Sequence, residues 1–372
     1  MLVDCPTPVP TDRALLPPGG LLRLFPEELA PLLADLGQPR YRARQLFTWL
    51  HARAELDPDR MSDLPADLRA QLKASGALSG SAAVRRLQSS DGLTTKLLLK
   101  LHDGQEIEAV EMNTAAAETG GRKTVCVSTQ AGCAMGCVFC VTGQFGFARN
   151  LDAGEIVEQV LRCSREGRPV SNVVFMGMGE PLANYDETVR AIRLLGHRDG
   201  LHLGARRITV STSGLVPQVR RLAREGLQVG LAISLHAPND QLRSQLMPVN
   251  RRWPIADLVE AGDEYARLTG RRVSYEYTLM AGVNDSDDTA DELAALLRGR
   301  LCHVNLIPLN PTEDPSLRAS TGQRALAVEG RLRAAGLPTT IRVNRGRDIM
   351  AACGQLRLAE KRRRGAAAVG PA

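Results

Sequence analysis

At 372 residues the chain is long for one domain and fits two, or one large barrel with an extension. Hydrophobic residues make up 44% and charged residues 24%, which excludes a disordered chain, and no apolar run reaches the ~18 residues a transmembrane helix needs, so no membrane partner is expected. The net charge of +6, with Arg far above Lys, fits a polyanion-binding protein and equally a coding bias toward Arg, Ala, Gly and Pro.

Residues 1–20 are proline-rich, carry Asp4 and Asp12 and lack the apolar core of a signal peptide, so a flexible N-terminus and a cytoplasmic location are expected. Apolar spacings of three and four predict helices around Leu21–Leu24, Arg42–His51 and Ala66–Leu72, a helical accessory domain over 21–81. A β connector over 82–121 follows. In it Thr95–Leu101 and Glu106–Met112 flank the hairpin-like turn His102-Asp103-Gly104, and 113–121 read as an exposed loop.

From residue 122 to 358 strands and helices alternate. The predicted strands are Thr124–Ser128, Asn172–Met176, Arg207–Ser211, Val229–Ser234, Val273–Leu279 and His303–Pro308, with helices Ala153–Glu166, Asp186–Leu195, Pro217–Glu225, Ile255–Leu268 and Thr289–Leu297 between them. A helix Gln323–Ala335 and a strand Thr339–Val343 close the series, and 359–372 form a basic tail with Lys361-Arg362-Arg363-Arg364. Six β–α units fall short of the eight of a full barrel, so the expected fold is α/β, a partial (β/α)6 barrel, with an open doubly wound sheet as the alternative. Both place ligands at the carboxyl ends of the strands.

Eight cysteines are too few for a disulfide scaffold in a chain this long, and three crowd together as Cys133-x3-Cys137-x2-Cys140 just past the first core strand. Three thiolates leave one iron of a four-iron cluster open to chelate a small molecule and pass it an electron. A zinc site completed by a distant His, or unpaired core cysteines, are the competing readings. Phe139 would shield such a cluster or simply pack in the core.

Further motifs end the next strands. Gly177-Met178-Gly179-Glu180-Pro181 follows the second, where glycines admit a ligand to the backbone and Glu180 offers a carboxylate to an ammonium. Ser211-Thr212-Ser213-Gly214, Ser234-Leu235-His236-Ala237-Pro238 and Asn310-Pro311 follow the third, fourth and sixth, with hydroxyl and amide groups for ribose, carboxylate or adenine.

In this order the motifs resemble the bacterial radical-SAM RNA methyltransferases that methylate adenine at C2, over residues 21–358. Cys126–Gln130, Gly146–Leu151 and Gly346–Leu356 match the same family. The resemblance implies a [4Fe-4S] cluster on Cys133, Cys137 and Cys140. It also implies two S-adenosylmethionine molecules per turnover, held by Gly179, Glu180, Ser211, Ser234, Leu235, His236 and Asn310. Cys353 would be methylated first, because C2 of adenine is electron-poor and a thiolate accepts a methyl readily. The activated S-methyl group would add to C2, Glu108 would accept the C2 proton, and Cys126 would attack Cys353, leaving a transient disulfide. Glu106 and Glu111 lie close enough in sequence to compete with Glu108 for that role.

The implied substrates are large-subunit ribosomal RNA and the adenosine 3′ of certain tRNA anticodons, with an electron donor such as flavodoxin. A base entering a barrel mouth must leave its stack. Arg40, Arg42, Arg44 and Arg53 are candidate phosphate contacts, or a solvated surface. Competing functions are a redox-sensing RNA-binding protein, radical chemistry on a small metabolite, and methylation at C8.

Overall fold

The structure is a computed structural model that describes residues 19–114, 121–144, 146–165, 167, 169–310, 316–342 and 347–349. Its accessory region holds α1 (Pro26–Ala34), α2 (Tyr41–Phe47), which runs on into a wider turn over Thr48–Ala52, and α3 (Ala66–Ser75). Leu29, Leu33, Leu46, Leu50, Leu68 and Leu72 recur at helical spacing and are all buried.

Three antiparallel strands follow: β1 (Ser81–Gln88), β2 (Thr94–Leu101) and β3 (Glu106–Asn113). The core continues through β4 (Lys123–Cys126), β5 (Gln130–Gly132), α4 (Val141–Gln144), β6 (Phe147–Asn150), α5 (Ala153–Ser164), β7 (Asn172–Phe175), α6 (Tyr185–Gly196), β8 (Ile208–Thr212), α7 (Val216–Ala223) and β9 (Gly230–Ser234). It ends with α8 (Asp240–Leu246), α9 (Ile255–Thr269), β10 (Val273–Leu279), α10 (Asp287–Leu297), β11 (Cys302–Pro308), α11 (Gly322–Ala334) and β12 (Thr339–Ile341).

One ten-stranded sheet runs β1-β2-β3-β4-β7-β8-β9-β10-β11-β12, parallel from β4 onward, which is the expected partial barrel with one more strand, β12, at its edge. The expected β connector is not a separate sheet: β3 pairs antiparallel with β4, so the meander extends the barrel wall. The strand β1 was not foreseen, because Ser-Ala-Ala-Val-Arg-Arg-Leu-Gln lacks an apolar alternation and most of it is exposed at the sheet edge.

The two edges of the sheet are brought toward each other. Past β12, Asp348 accepts a hydrogen bond from the Ser90 N–H in the β1–β2 turn (2.7 Å). On the connector side, Arg149 of β6 binds Asp103 in the β2–β3 turn (2.5 Å) and grips Glu155 of α5 with two bonds of 2.7 Å.

Alternation of side chains sorts the residues of each strand. Tyr275 and Ile233 face α9, where a Cβ at Gly262 would meet both. Ser234, Glu276, Asn305 and Thr340, register partners across β9 to β12, therefore face the barrel interior.

Candidate active site

The cysteine wrap is the loop between β5 and β6, a small hairpin that stands apart from the main sheet. Gly132 starts the wrap with φ +83°, and a Cβ there would lie 2.0 Å from the Gly146 carbonyl, so only glycine fits. The Cys133 N–H donates to that same carbonyl (2.9 Å) and the Cys140 N–H to the Cys137 carbonyl (3.1 Å). From across the barrel, the Leu246 carbonyl at the end of α8 accepts the Val138 N–H (3.1 Å).

Burial pushes the Cys133 thiol up to about 11, and neighbouring Cys140 adds to the shift. Burial raises Cys137 further, with both other thiols pushing the same way. Cys133 and Cys137, two buried thiols that resist ionisation beside Cys140, suit a ligand bringing enough positive charge to deprotonate them. Two hydroxyls beside the wrap, Thr129 and Thr142, are buried without a hydrogen-bond partner in the protein, as expected of a cradle whose ligand completes it. The residues present therefore fit an open iron–sulfur cluster with a polar cosubstrate.

Next to the wrap, Gly179 adopts φ +102°, and a Cβ there would meet the Gln130 side chain at 2.6 Å. Gln130 accepts the Glu180 N–H (2.8 Å) and donates to Asn150 (2.8 Å), locking the glycine turn to the hairpin. The Glu180 carboxylate is buried, accepting the Leu182 N–H at one oxygen (3.0 Å) and the Ser213 N–H at the other (2.7 Å). Burial holds its carboxyl above the ordinary range, opposed by those donors. The Thr212 and Ser213 side chains act in the same direction as those donors, and a cationic amine beside the carboxylate would further favour the charge that burial disfavours.

His236 sits in the left-handed region at φ +58°. Its Nδ1 accepts the Thr278 N–H (2.9 Å), which assigns the remaining proton to Nε2, and its ring meets Phe139 edge-on at 4.7 Å. Burial, then Arg243, lowers its pKa to about 3, so the imidazole is neutral. Phe139 thus links the wrap to the end of β9. Leu235 is fully buried, with its N–H donating to the Glu276 carbonyl (3.0 Å) and its carbonyl accepting from Arg243 (3.1 Å); Ser211 and Ser234 are half-buried on interior-facing strand positions. Asn310 lies just past β11.

Cys126 and Glu108 lie on paired strands with Val110 opposite Cys126, and both face the interior. Burial pushes the Cys126 thiol up to about 11, with Arg342 pulling it down and Glu108 adding to the rise. Glu111 points to the other face, where it binds Lys123 (3.4 Å) and Asn113 (2.9 Å). Cys353 lies outside the described residues, as do its neighbours from Met350 to Leu356 and the basic run Lys361–Arg364.

The structure also brings in residues that the motifs did not mark. Ser128 Oγ donates to the Glu108 carbonyl (2.6 Å) and accepts the Met178 N–H (2.9 Å), knotting β3 to the glycine turn. Glu276 accepts from Asn305 (2.7 Å) on the interior row, with Arg342 nearby. Arg243 of α8 is completely buried; its one sequence signal is a charge in the same helical stripe as Leu246 and Met247. Of the four expected phosphate contacts, Arg44 is paired with Asp199 (2.6 Å), Arg42 binds Gln45 and the Asp63 carbonyl (both 2.6 Å), and Arg53 lies over Trp49 (3.9 Å). No helix among the described residues is long and apolar enough to cross a membrane.

Two family descriptions match the chain: the radical SAM superfamily over residues 127–294 and the ribosomal RNA large subunit methyltransferase N-terminal domain over 20–77. A ribosomal RNA large subunit methyltransferase N from Nitrosopumilus maritimus is 49% identical, the match covering 91% of this chain and 98% of that protein. A probable dual-specificity RNA methyltransferase RlmN from Symbiobacterium thermophilum is 48% identical over 89% of each chain. The crystal structure of a radical SAM methyltransferase from Sphaerobacter thermophilus superposes with a TM-score of 0.86 at 53% identity, covering 90% of this chain and 98% of that one.

Proposed function

The chain belongs to the ribosomal RNA large subunit methyltransferase N family of radical SAM proteins, and from that premise we propose that it methylates C2 of adenosine in large-subunit ribosomal RNA and in tRNA, at the adenosine 3′ of the anticodon. One observation carries the reading: a second thiol, Cys126, faces the barrel interior beside Glu108, apart from the cysteine wrap. Cleavage of S-adenosylmethionine alone has no use for it.

Cys133, Cys137 and Cys140 hold the cluster in this reading, and Gly179, Glu180, Ser211, Ser234, Leu235, His236 and Asn310 hold S-adenosylmethionine. When bound, the two supply a 5′-deoxyadenosyl radical. Cys353 takes a methyl group from one S-adenosylmethionine and gives up a hydrogen atom of that methyl when a second is cleaved. The methylene carbon then bonds to C2. The adduct gives up one electron, which the cluster left oxidised by the cleavage would accept, and loses its C2 proton to Glu108; Cys126 then releases its thiol proton toward the departing carbon as its sulfur attacks Cys353 sulfur. The sulfur–carbon bond breaks, the carbon takes a proton to become methyl, and a Cys126–Cys353 disulfide remains. The buried, protonated state of Cys126 keeps it from attacking before an adduct exists. A low-potential donor of the flavodoxin class supplies the electrons, and a cytoplasmic setting suits both the donor and the reduced thiols.

The test is anaerobic reconstitution with methyl-labelled S-adenosylmethionine, reductant and ribosomal RNA or tRNA, reading nucleosides by mass spectrometry. The expected product is 2-methyladenosine, absent for Cys353→Ala; Cys126→Ala is expected to trap a protein–RNA adduct that survives denaturation. Formation of 8-methyladenosine, or turnover of S-adenosylmethionine without any methylated base, would overturn the reading.

A further inference from the structure

The guanidinium of Arg243 is held by four neutral acceptors. Its Nε donates to the Leu235 carbonyl (3.1 Å), Nη2 to the carbonyls of Ser213 (2.6 Å) and Ser234 (2.9 Å), and Nη1 to Asn250 Oδ1 (2.8 Å). The three carbonyls lie at or just past the carboxyl ends of β8 and β9, where the cosubstrate motifs sit, and Asn250 lies in the turn that follows α8. Among the described residues Arg243 makes no ion pair: the nearest acid on its own helix, Asp240, acts on it only at a distance, its Oδ1 accepting from Asn250 (3.0 Å) and the Ile255 N–H (2.8 Å). Burial draws the Arg243 pKa down to about 10, which leaves it charged at neutral pH.

A buried cation without an anion is costly, and folds keep one where a ligand completes the pair. The cysteine wrap lies against the same helix. Val138 hydrogen-bonds its last carbonyl, Cys137 packs among Ala237, Leu246 and Met247, and a Cβ on Gly136 would touch Pro248 at 3.7 Å. Burial and then Cys140, Cys133 and Glu180 push the Cys137 thiol up, and Arg243 is the group that pulls it down.

We propose that Arg243 is the fixed countercharge of the iron–sulfur cluster, a positioning residue that sets how readily the cluster accepts an electron by holding a buried positive charge behind Cys137. The proposal rests on the cluster reading of the three cysteines and is independent of the RNA chemistry. The step is a one-electron transfer from an external low-potential donor. It makes the cluster more negative by one charge, with no bond formed or broken, so a nearby cation favours the reduced form.

The experiment compares the full-length protein with Arg243→Lys, Arg243→Gln and Arg243→Met, each reconstituted anaerobically, assayed for iron and titrated potentiometrically in the absence of S-adenosylmethionine, with the reduced cluster followed by electron paramagnetic resonance. Unsubstituted protein is expected to take up about four irons; if it takes up none, the cluster reading itself fails. The neutral variants are expected to hold the electron about tenfold less tightly, a midpoint 59 mV more negative, while Arg243→Lys stays near the parent value. Iron loading by Lys alone, with Gln and Met folded but empty, supports the countercharge through cluster affinity. Equal shifts for Lys and the neutral variants would show that lost hydrogen bonds are responsible and would overturn the proposal, as would a Lys variant that fails to load. Unchanged potentials with S-adenosylmethionine binding weakened only in Gln and Met would assign the charge to the cosubstrate carboxylate, also overturning it.

Discussion

His51 is buried in the accessory core, stacked on Phe47 at 4.2 Å, with Nε2 unpartnered. Burial, then His197, lowers its pKa from 6.5 to about 3. A depressed folded value means its contribution to stability is whole above pH 6.5 and is lost as pH falls from there toward 3, by up to about 1.4 kcal/mol per pH unit. Urea midpoints of the parent should therefore drop between pH 7.5 and pH 5, and His51→Phe should reduce that slope while buried His236 keeps its own share; an unchanged slope would sink the assignment. Gly179→Ala should cost about 2–5 kcal/mol, because positive φ and the Gln130 contact act together. Gly104→Ala, with φ +83° and open space around it, should cost only about 1–2 kcal/mol in the same urea titration. Such positions were readable where spacing carries the chemistry, as for the three cysteines and Gly179-Glu180. Arg243 was not, since its role depends on carbonyls at residues 213, 234 and 235 that only the folded barrel brings around it.

Glu158 of α5 shows how one helix fastens the accessory region to the barrel. Its buried carboxylate accepts from Ser79 (2.7 Å), the Gly80 N–H (3.0 Å) and Ser81 (2.9 Å), and pairs with Arg162 (2.8 Å). Upstream on α5, a Cβ at Gly154 would lie 3.0 Å from the Gly19 carbonyl and 3.1 Å from the Arg23 amide, so the chain's first described turn needs that glycine. Glu158→Ala should cost about 3 kcal/mol and open a protease site near Ser79–Ser81 while leaving the barrel fragment intact; resistance equal to the parent would refute the fastening role. Among elements, β10 matched its predicted bounds and most helices came within two residues, because their apolar faces repeat strictly. The β5–β6 hairpin went unseen: three- and four-residue strands around a ligand loop carry too little periodicity, and only the pairing of residues 130–132 with residues 147–150 defines them.

For the molecule as a whole, the net charge of +6 is modest, and several arginines expected at an RNA surface are already paired within the protein. If phosphates provide much of the RNA affinity, that affinity should fall at least about tenfold between 50 and 200 mM salt, the counterion effect of roughly two contacts; a flat response in filter binding would place recognition in the base pocket instead. The partial barrel was legible from six repeated β–α units, whereas the merger of the connector into one sheet was not, because it depends on the long-range pairing of Val110 with Cys126.

The hydrogen bond from Val138 to Leu246 has a consequence for how the protein is made. All three cysteines leave the ribosome long before α8 does, yet their loop reaches its final form only against that helix. During synthesis the thiols are therefore exposed on an unfinished half-barrel, open to stray oxidants and thiophilic metals. Under the proposed assignment of the cysteines to a cluster, a chain stopped before α8 is expected to take up less iron than the finished chain, as iron assay of the two would show.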